Sequence, residues 1–181
     1  MAAAALDPIA SLLWADAAAR VHAVIDGARV PGLAGRLAAV PTIAWDRVQR
    51  GALDAAAAAS ATHVVELAAM SPFTDWLLRE ATPALPGWGL LAGSTRALLD
   101  IREHFRSLQM LRLPDGRELA WRWYDPGVLD AFVALATPAQ QAALMGPLRV
   151  LVAPRADAWT FYTFEAGRLV GEQRRVAPGG R

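Results

Sequence analysis

The sequence predicts an α/β protein: a mixed β-sheet flanked by helices, with a C-terminal hairpin and short helices. Two observations carry this. Four pairs, Asp7-Pro8, Ser71-Pro72, Asp125-Pro126 and Thr137-Pro138, set a side-chain oxygen before a proline and are followed by apolar residues at helical spacing. Between the helices so marked lie apolar runs too brief for helices, the pattern of strands covered on both faces.

Taken in order, the proline pair at 7–8 opens a helix over 8–19, and residues 21–25 form a strand stopped by Asp26-Gly27. Leu33, Leu37 and Val40 sit at i, i+4 and i+7 and mark a second helix. Residues 55–61 are helical by alanine propensity, though alanine buries little. A strand at 63–67 leads to a helix over 72–81, and another strand spans 88–92. Leu98, Ile101, Phe105 and Leu108 share one helical face, with Ser94 or Thr95 as the cap. A hairpin follows, 109–113 and 118–124, joined by the Pro114-Asp115-Gly116 turn. Helices at 126–135 and 138–145 come next, the second ended by Gly146-Pro147. Strands at 148–153 and 159–164 close the pattern, the last turning back through Ala166-Gly167. One domain over 7–150 is expected. Residues 151–170 pack on it or form a reduced second lobe, and 171–181 form a flexible tail.

Composition narrows the function. The net charge is +1, the pI about 8.4, and every one of the 18 basic residues is arginine. A nucleic-acid binder shows a basic stripe or a domain pI above about 9, so no nucleic-acid partner is expected. Arginine keeps its charge when half-buried and grips carboxylates with two parallel bonds, which suits a protein interface. With no cysteine, disulfide and thiolate chemistry are excluded. The opening Met1–Leu6 lacks the basic region of a signal peptide, and no apolar run approaches the roughly 18 residues of a membrane span. A cytoplasmic protein without a membrane partner is expected.

Catalytic signatures are sparse. His22, His63 and His104 have no ligand cluster of metal-site spacing, so no metal or cofactor is expected. A lysine-free chain cannot build a P-loop, and Gly87-Trp88-Gly89 sets a bulky indole where a phosphate loop needs open backbone. Gly93-Ser94-Thr95 lacks the glycine that a nucleophile elbow needs two places after serine. Spacing leaves one enzyme reading open, a small serine hydrolase or transferase using Ser94, His104 and a carboxylate. Helix capping accounts for Ser94 more simply, and the expectation is that the chain is not an enzyme.

The most distinctive run is Trp121-Arg122-Trp123-Tyr124-Asp125-Pro126. In a strand, Trp121 and Trp123 face one way while Arg122 and Tyr124 face the other. Either the indoles fill the core, Arg122 pairs with an acid and Asp125 caps the next helix, or part of this surface lines a groove for a partner. Trp, Tyr and Arg are the residues enriched at binding hot spots. Asp26 and Trp88 are minor candidates for the same surface, Asp26 because open α/β sheets place ligands at strand ends. On the binding reading, Trp123→Ala or Arg122→Ala weakens a partner while the fold survives.

The ordered segments resemble a known family. They are 22–28, Val64-Val65-Glu66-Leu67 leading to Ser71-Pro72 and Trp76-Leu77-Leu78, Trp88-Gly89-Leu90-Leu91, and the helix through His104-Phe105-Arg106. Pro114-Asp115-Gly116-Arg117, the run 122–129 and Gly146-Pro147 complete the set. Together they resemble the bacterial type VI secretion effector adaptors, or effector chaperones, long known as a domain of unknown function. The resemblance covers roughly 12–152. It implies a non-catalytic, cofactor-free cytoplasmic protein that binds one effector and helps load it onto the valine–glycine-repeat spike protein. Many members carry a larger C-terminal lobe than this chain has room for.

Overall fold

The computed structural model describes residues 8–113 and 115–175. The capping role of Asp7, the turn position of Pro114 and the tail from 176 onward lie outside the described residues. Helix α1 (Pro8–Leu13) stops well short of residue 19. The Asp16 carboxylate accepts from the Ala18 N–H (2.9 Å), and its carbonyl accepts from Ala19 (2.9 Å). An aspartate that bonds its own following backbone offers the chain an alternative to helix.

Strand β1 (Arg20–Asp26) is followed by α2 (Leu33–Ala38), β2 (Trp45–Arg47) and α3 (Ala55–Ser60), the last capped by Asp54. Three-residue β2 is too short to read as a strand in the sequence. Strand β3 (Thr62–Leu67) leads to α4 (Pro72–Trp76), where Ser71 caps and Pro72 takes the first position as expected. The helix then widens into a π turn over Leu77–Ala81 before the single turn α5 (Thr82–Ala84). Thr82 donates its hydroxyl to the Leu77 carbonyl five residues back (2.8 Å), and Pro83 has no N–H with which to continue an α ladder.

Strand β4 (Gly89–Ser94) precedes α6 (Leu98–Ser107). The cap expected from Ser94 or Thr95 is not made: α6 starts after Ala97 with no side-chain cap. Ser94 instead donates to the Pro147 carbonyl (2.8 Å) and accepts from the Arg96 N–H (3.1 Å). The hairpin is β5 (Met110–Arg112) and β6 (Glu118–Ala120), shorter than expected, with the Trp121 N–H making a last cross-strand bond to the Gln109 carbonyl (3.3 Å) before the chain turns away. Helices α7 (Pro126–Leu135) and α8 (Pro138–Met145) run over the residues the proline pairs predict, capped by Asp125 and by a Thr137–Gln140 capping box. Strands β7 (Leu148–Ala153), β8 (Ala158–Glu165) and β9 (Arg168–Arg175) complete the chain. Residues 171–175, expected as loose tail, belong to β9, which pairs with β8 along its whole length.

The α/β class is as the sequence predicts. One seven-stranded sheet, ordered β2-β3-β1-β4-β7-β8-β9, is flanked by helices, and a separate two-stranded sheet holds β5-β6. Every ladder is antiparallel, where a mixed sheet is expected from strands alternating with helices: β1 pairs with β3 and β4, and both run opposite to it. Strands 148–153 and 158–165 join the sheet through β4–β7 pairing and share its cores. Alternation along β1 sorts the two faces: Val21, Ala23 and Ile25 pack with α2 and α4 residues, and Val24 packs with α6, α7 and α8.

The backbones of β1 and β4 approach closely at Gly89. A Cβ there would lie 1.9 Å from the Val24 carbonyl oxygen, inside the central ladder. Gly89→Ala is therefore expected to destabilise the fold toward the upper end of the roughly 1–3 kcal/mol that overpacking causes. Equilibrium urea unfolding checks this, and a variant as stable as the wild type would show that the sheet separates there without strain.

Candidate protein-binding surface

Residues far apart in sequence meet at the end of β1. Asp26 is 3% exposed, and one carboxylate oxygen accepts from the Ala28 N–H (3.0 Å) while the other is ion-paired with Arg122. Arg122 also lies 3.8 Å from the Asp125 carboxylate and over the Tyr124 ring (5.9 Å). Asp125 in turn accepts from the Gly127 N–H (2.9 Å), capping α7. The Trp88 carbonyl accepts from the Asp26 N–H (2.8 Å). Asp26, Trp88, Arg122, Tyr124 and Asp125 are thus brought together, as a latch that ties the loop before α7 to the central strand. A buried carboxylate needs such a partner, since an unpaired charge in the interior is strongly disfavoured.

Two of the expected partner-binding residues present no surface. Trp88 is 1% exposed and donates its indole N–H to Thr82 (3.1 Å); Trp123 is 0% exposed, with its ring 4.7 Å from Phe105. The strict alternation that set Trp121 and Trp123 on one side and Arg122 and Tyr124 on the other ends with β6 at Ala120. Beyond it the chain turns, the Asp125 N–H donating to the Arg122 carbonyl (2.9 Å), and the two indoles take different places.

Of the two indoles in the run, Trp121 is the one that reaches a surface. Half-buried, it donates its indole N–H to the Leu108 carbonyl (2.6 Å) and packs on Phe132 of α7 (4.9 Å). Its ring stands between two adjoining hollows, of about 180 and 310 Å³, that share Leu111, Trp121, Phe132 and Gln140. Together they form a groove walled by the β5–β6 hairpin on one side and by α7 and α8 on the other. No charged side chain lines it. Met110 and Val128 at its margins are exposed, and Leu135 is 86% exposed. The nearby hairpin charges are already matched, Arg112 with Glu118 (3.3 Å) and Arg117 with Asp115 (2.6 Å).

Met110, Leu111, Val128, Phe132 and Leu135 are the groove residues that the sequence reading missed. The signal was present in α7. Leu129 faces the core, while Val128, Phe132 and Leu135 at i, i+4 and i+7 make a second apolar stripe that a one-faced surface helix would not need.

The titratable groups are engaged elsewhere. His104 Nε2 lies 2.9 Å from the Leu144 carbonyl, Ser94 is held by Pro147 and Arg96, and no hydrogen bond joins the two. Among the described residues, no three His, Asp or Glu side chains are grouped to hold a metal ion, and no helix is long and apolar enough to cross a membrane. His22, in the middle of the sheet, is fully buried, and neither ring nitrogen has a hydrogen-bond partner among the described residues. Glu66 is 3.8 Å from its Nε2, too far for a hydrogen bond, and is already bound by Arg20 (2.7 Å). Burial, helped by the Arg20 charge, lowers the His22 pKa to about 4.

Residues 21–143, from β1 into α8, match the family model described as "Domain of unknown function (DUF4123)". No curated protein and no solved structure matches the chain.

Proposed function

The chain belongs to the DUF4123 family, and from that premise we propose that it is a non-catalytic adaptor that binds a type VI secretion effector in the cytoplasm and helps load it onto the spike protein. The uncharged groove beside Trp121 is the observation that carries this reading. Monomeric proteins rarely leave contiguous apolar surface open, and where they do it commonly marks a partner site. An apolar-faced segment of the effector fills the groove, with Trp121 and Phe132 as its aromatic walls. The resemblance of the ordered segments to the effector adaptors supports the identity of the partner, and the spike protein is the second partner in the same reading. A stable complex buries on the order of 1,200–2,000 Å² in total, so the groove acts as the centre of a wider contact. Neither partner needs a bond made or broken by this chain, and no cofactor enters.

The test is co-expression of the full chain with the effector encoded beside it, followed by co-purification and titration. Leu135→Asp puts a charge into the groove at a site that contributes little to the core, and is expected to weaken the complex at least tenfold. Trp121→Ala removes an anchor of the hot-spot kind, with an expected loss of about 2 kcal/mol or more, roughly thirtyfold. Wild-type affinity in both variants would remove the groove from the interface.

A further inference from the structure

The two edges of the seven-stranded sheet are built differently. At one end β2 is three residues long, and Arg106 binds the carbonyls of Arg47 (3.1 Å) and Val48 (2.8 Å). At the other end stands β9, eight residues long and mostly exposed. Ala166 (φ 48°) and Gly167 (φ 83°) make a two-residue turn with both residues left-handed, the kind that closes a hairpin on a hydrogen-bonded pair, here Glu165 and Arg168. Pairs then alternate along an antiparallel ladder. Leu169, Gly171, Gln173 and Arg175 therefore direct their N–H and C=O groups away from β8. The Leu169 N–H confirms the direction, donating to Gln141 of α8 (2.8 Å). Past that point the outward groups of Gly171, Gln173 and Arg175 have no backbone partner among the described residues.

We propose that this edge accepts an extended, acidic segment of a partner polypeptide as an eighth strand. Main-chain bonding to an open edge is a recurrent mode of peptide recognition, and proteins that do not use it shield their edges with short strands or covering groups, as β2 is shielded. Charge selects the occupant. Strand β9 carries Arg168, Arg174 and Arg175 against Glu172, a net +2, and only Arg174 is paired with that glutamate (3.0 Å). A second copy of this chain brings a strand of the same net positive charge, and antiparallel self-pairing centred on Gly171 sets Arg168 opposite Arg174. A strand that sets an acid opposite Arg168 and an apolar residue opposite Val170 covers that exposed side chain, and a further acid meets Arg175 on the other face. The edge lies outside residues 21–143, so this site does not depend on the groove reading.

The experiment pans a display library of random ten-residue peptides on the immobilised full chain. Acidic peptides are expected, and their binding should slow amide exchange at Gly171, Gln173 and Arg175. Gln173→Pro deletes an outward N–H while leaving the β8 ladder intact, and should weaken those peptides at least tenfold. The double variant Arg168→Glu/Arg175→Glu should do the same by charge alone, and it decides the matter if the proline variant unfolds. The proposal is overturned by recovery of no acidic peptide, by protection elsewhere in the chain, by undiminished binding to both variants, or by self-association through β9.

Discussion

Trp123→Ala is expected to lower the free energy of unfolding by about 3–5 kcal/mol, the usual loss for truncating a buried tryptophan. The ring is fully buried against Phe105 and edge-on to Tyr124 (5.8 Å), between α6 and α7. Stabilities of small domains are about 5–15 kcal/mol, so the variant keeps at best a fraction of its folded margin. Urea unfolding followed by tryptophan fluorescence and circular dichroism measures the change. A loss below about 1 kcal/mol would show that the cavity collapses or that the ring is not the core element described. This outcome differs from the sequence expectation, in which the same substitution weakens a partner and spares the fold. Trp121 now carries that expectation. The two variants together separate scaffold from surface within three residues of chain.

The second large effect is acid lability from His22. Its pKa falls from 6.5 in the unfolded chain to about 4 in the fold. Between those values the unfolded state binds a proton that the folded state refuses, so stability rises with pH through the window and is lost as pH drops from about 6.5 toward 4. The loss is on the order of 3 kcal/mol by pH 4. His63 and His104, also lowered by burial, add to the slope in the same direction. The lowered carboxylates Asp46, Glu103 and Glu172 act in the same direction, but only from their unfolded values of 3.8, 4.5 and 4.5 downward, at the acid end of the window. Unfolding free energies measured from pH 7 to pH 4 should show the fall, and His22→Leu should flatten it. An unchanged slope in that variant would mean that the protonated imidazole finds a partner in the fold, for which Glu66 is the nearest carboxylate.

Much of the architecture was legible because its signals are local. Each described proline pair starts a helix where it should, since the missing N–H and the side-chain acceptor act within one turn. The short apolar runs are strands because both faces of the sheet are covered, by α1, α2 and α4 on one side and by α6, α7 and α8 on the other. Where elements end was harder to see. Helix α1 yields to an aspartate turn, the helix from Pro72 widens where Thr82 and Pro83 compete with its ladder, and β9 is held by β8 although its own residues are polar.

The candidate surface was half legible. Trp121, one of the residues singled out, lines an open groove, and the Arg122–acid pairing and Asp125 cap foreseen in the scaffold reading are both present. Asp26 proved to be the acid, 96 residues away in sequence. Nothing in the order of residues connects those two positions, because the pair forms only when the sheet and the loop before α7 are already folded together.

By itself, then, the sequence determined the element types, most helix starts, the charge balance and the run around which the surface is built. These depend on chemistry within a few residues. The tertiary structure alone decided which strands pair and that each ladder is antiparallel, that Trp123 goes inward while Trp121 lines a groove, and which sheet edge stays open. Those outcomes turn on which side chains from distant segments fill the space beside them, and burial is settled by neighbours that sequence spacing does not name.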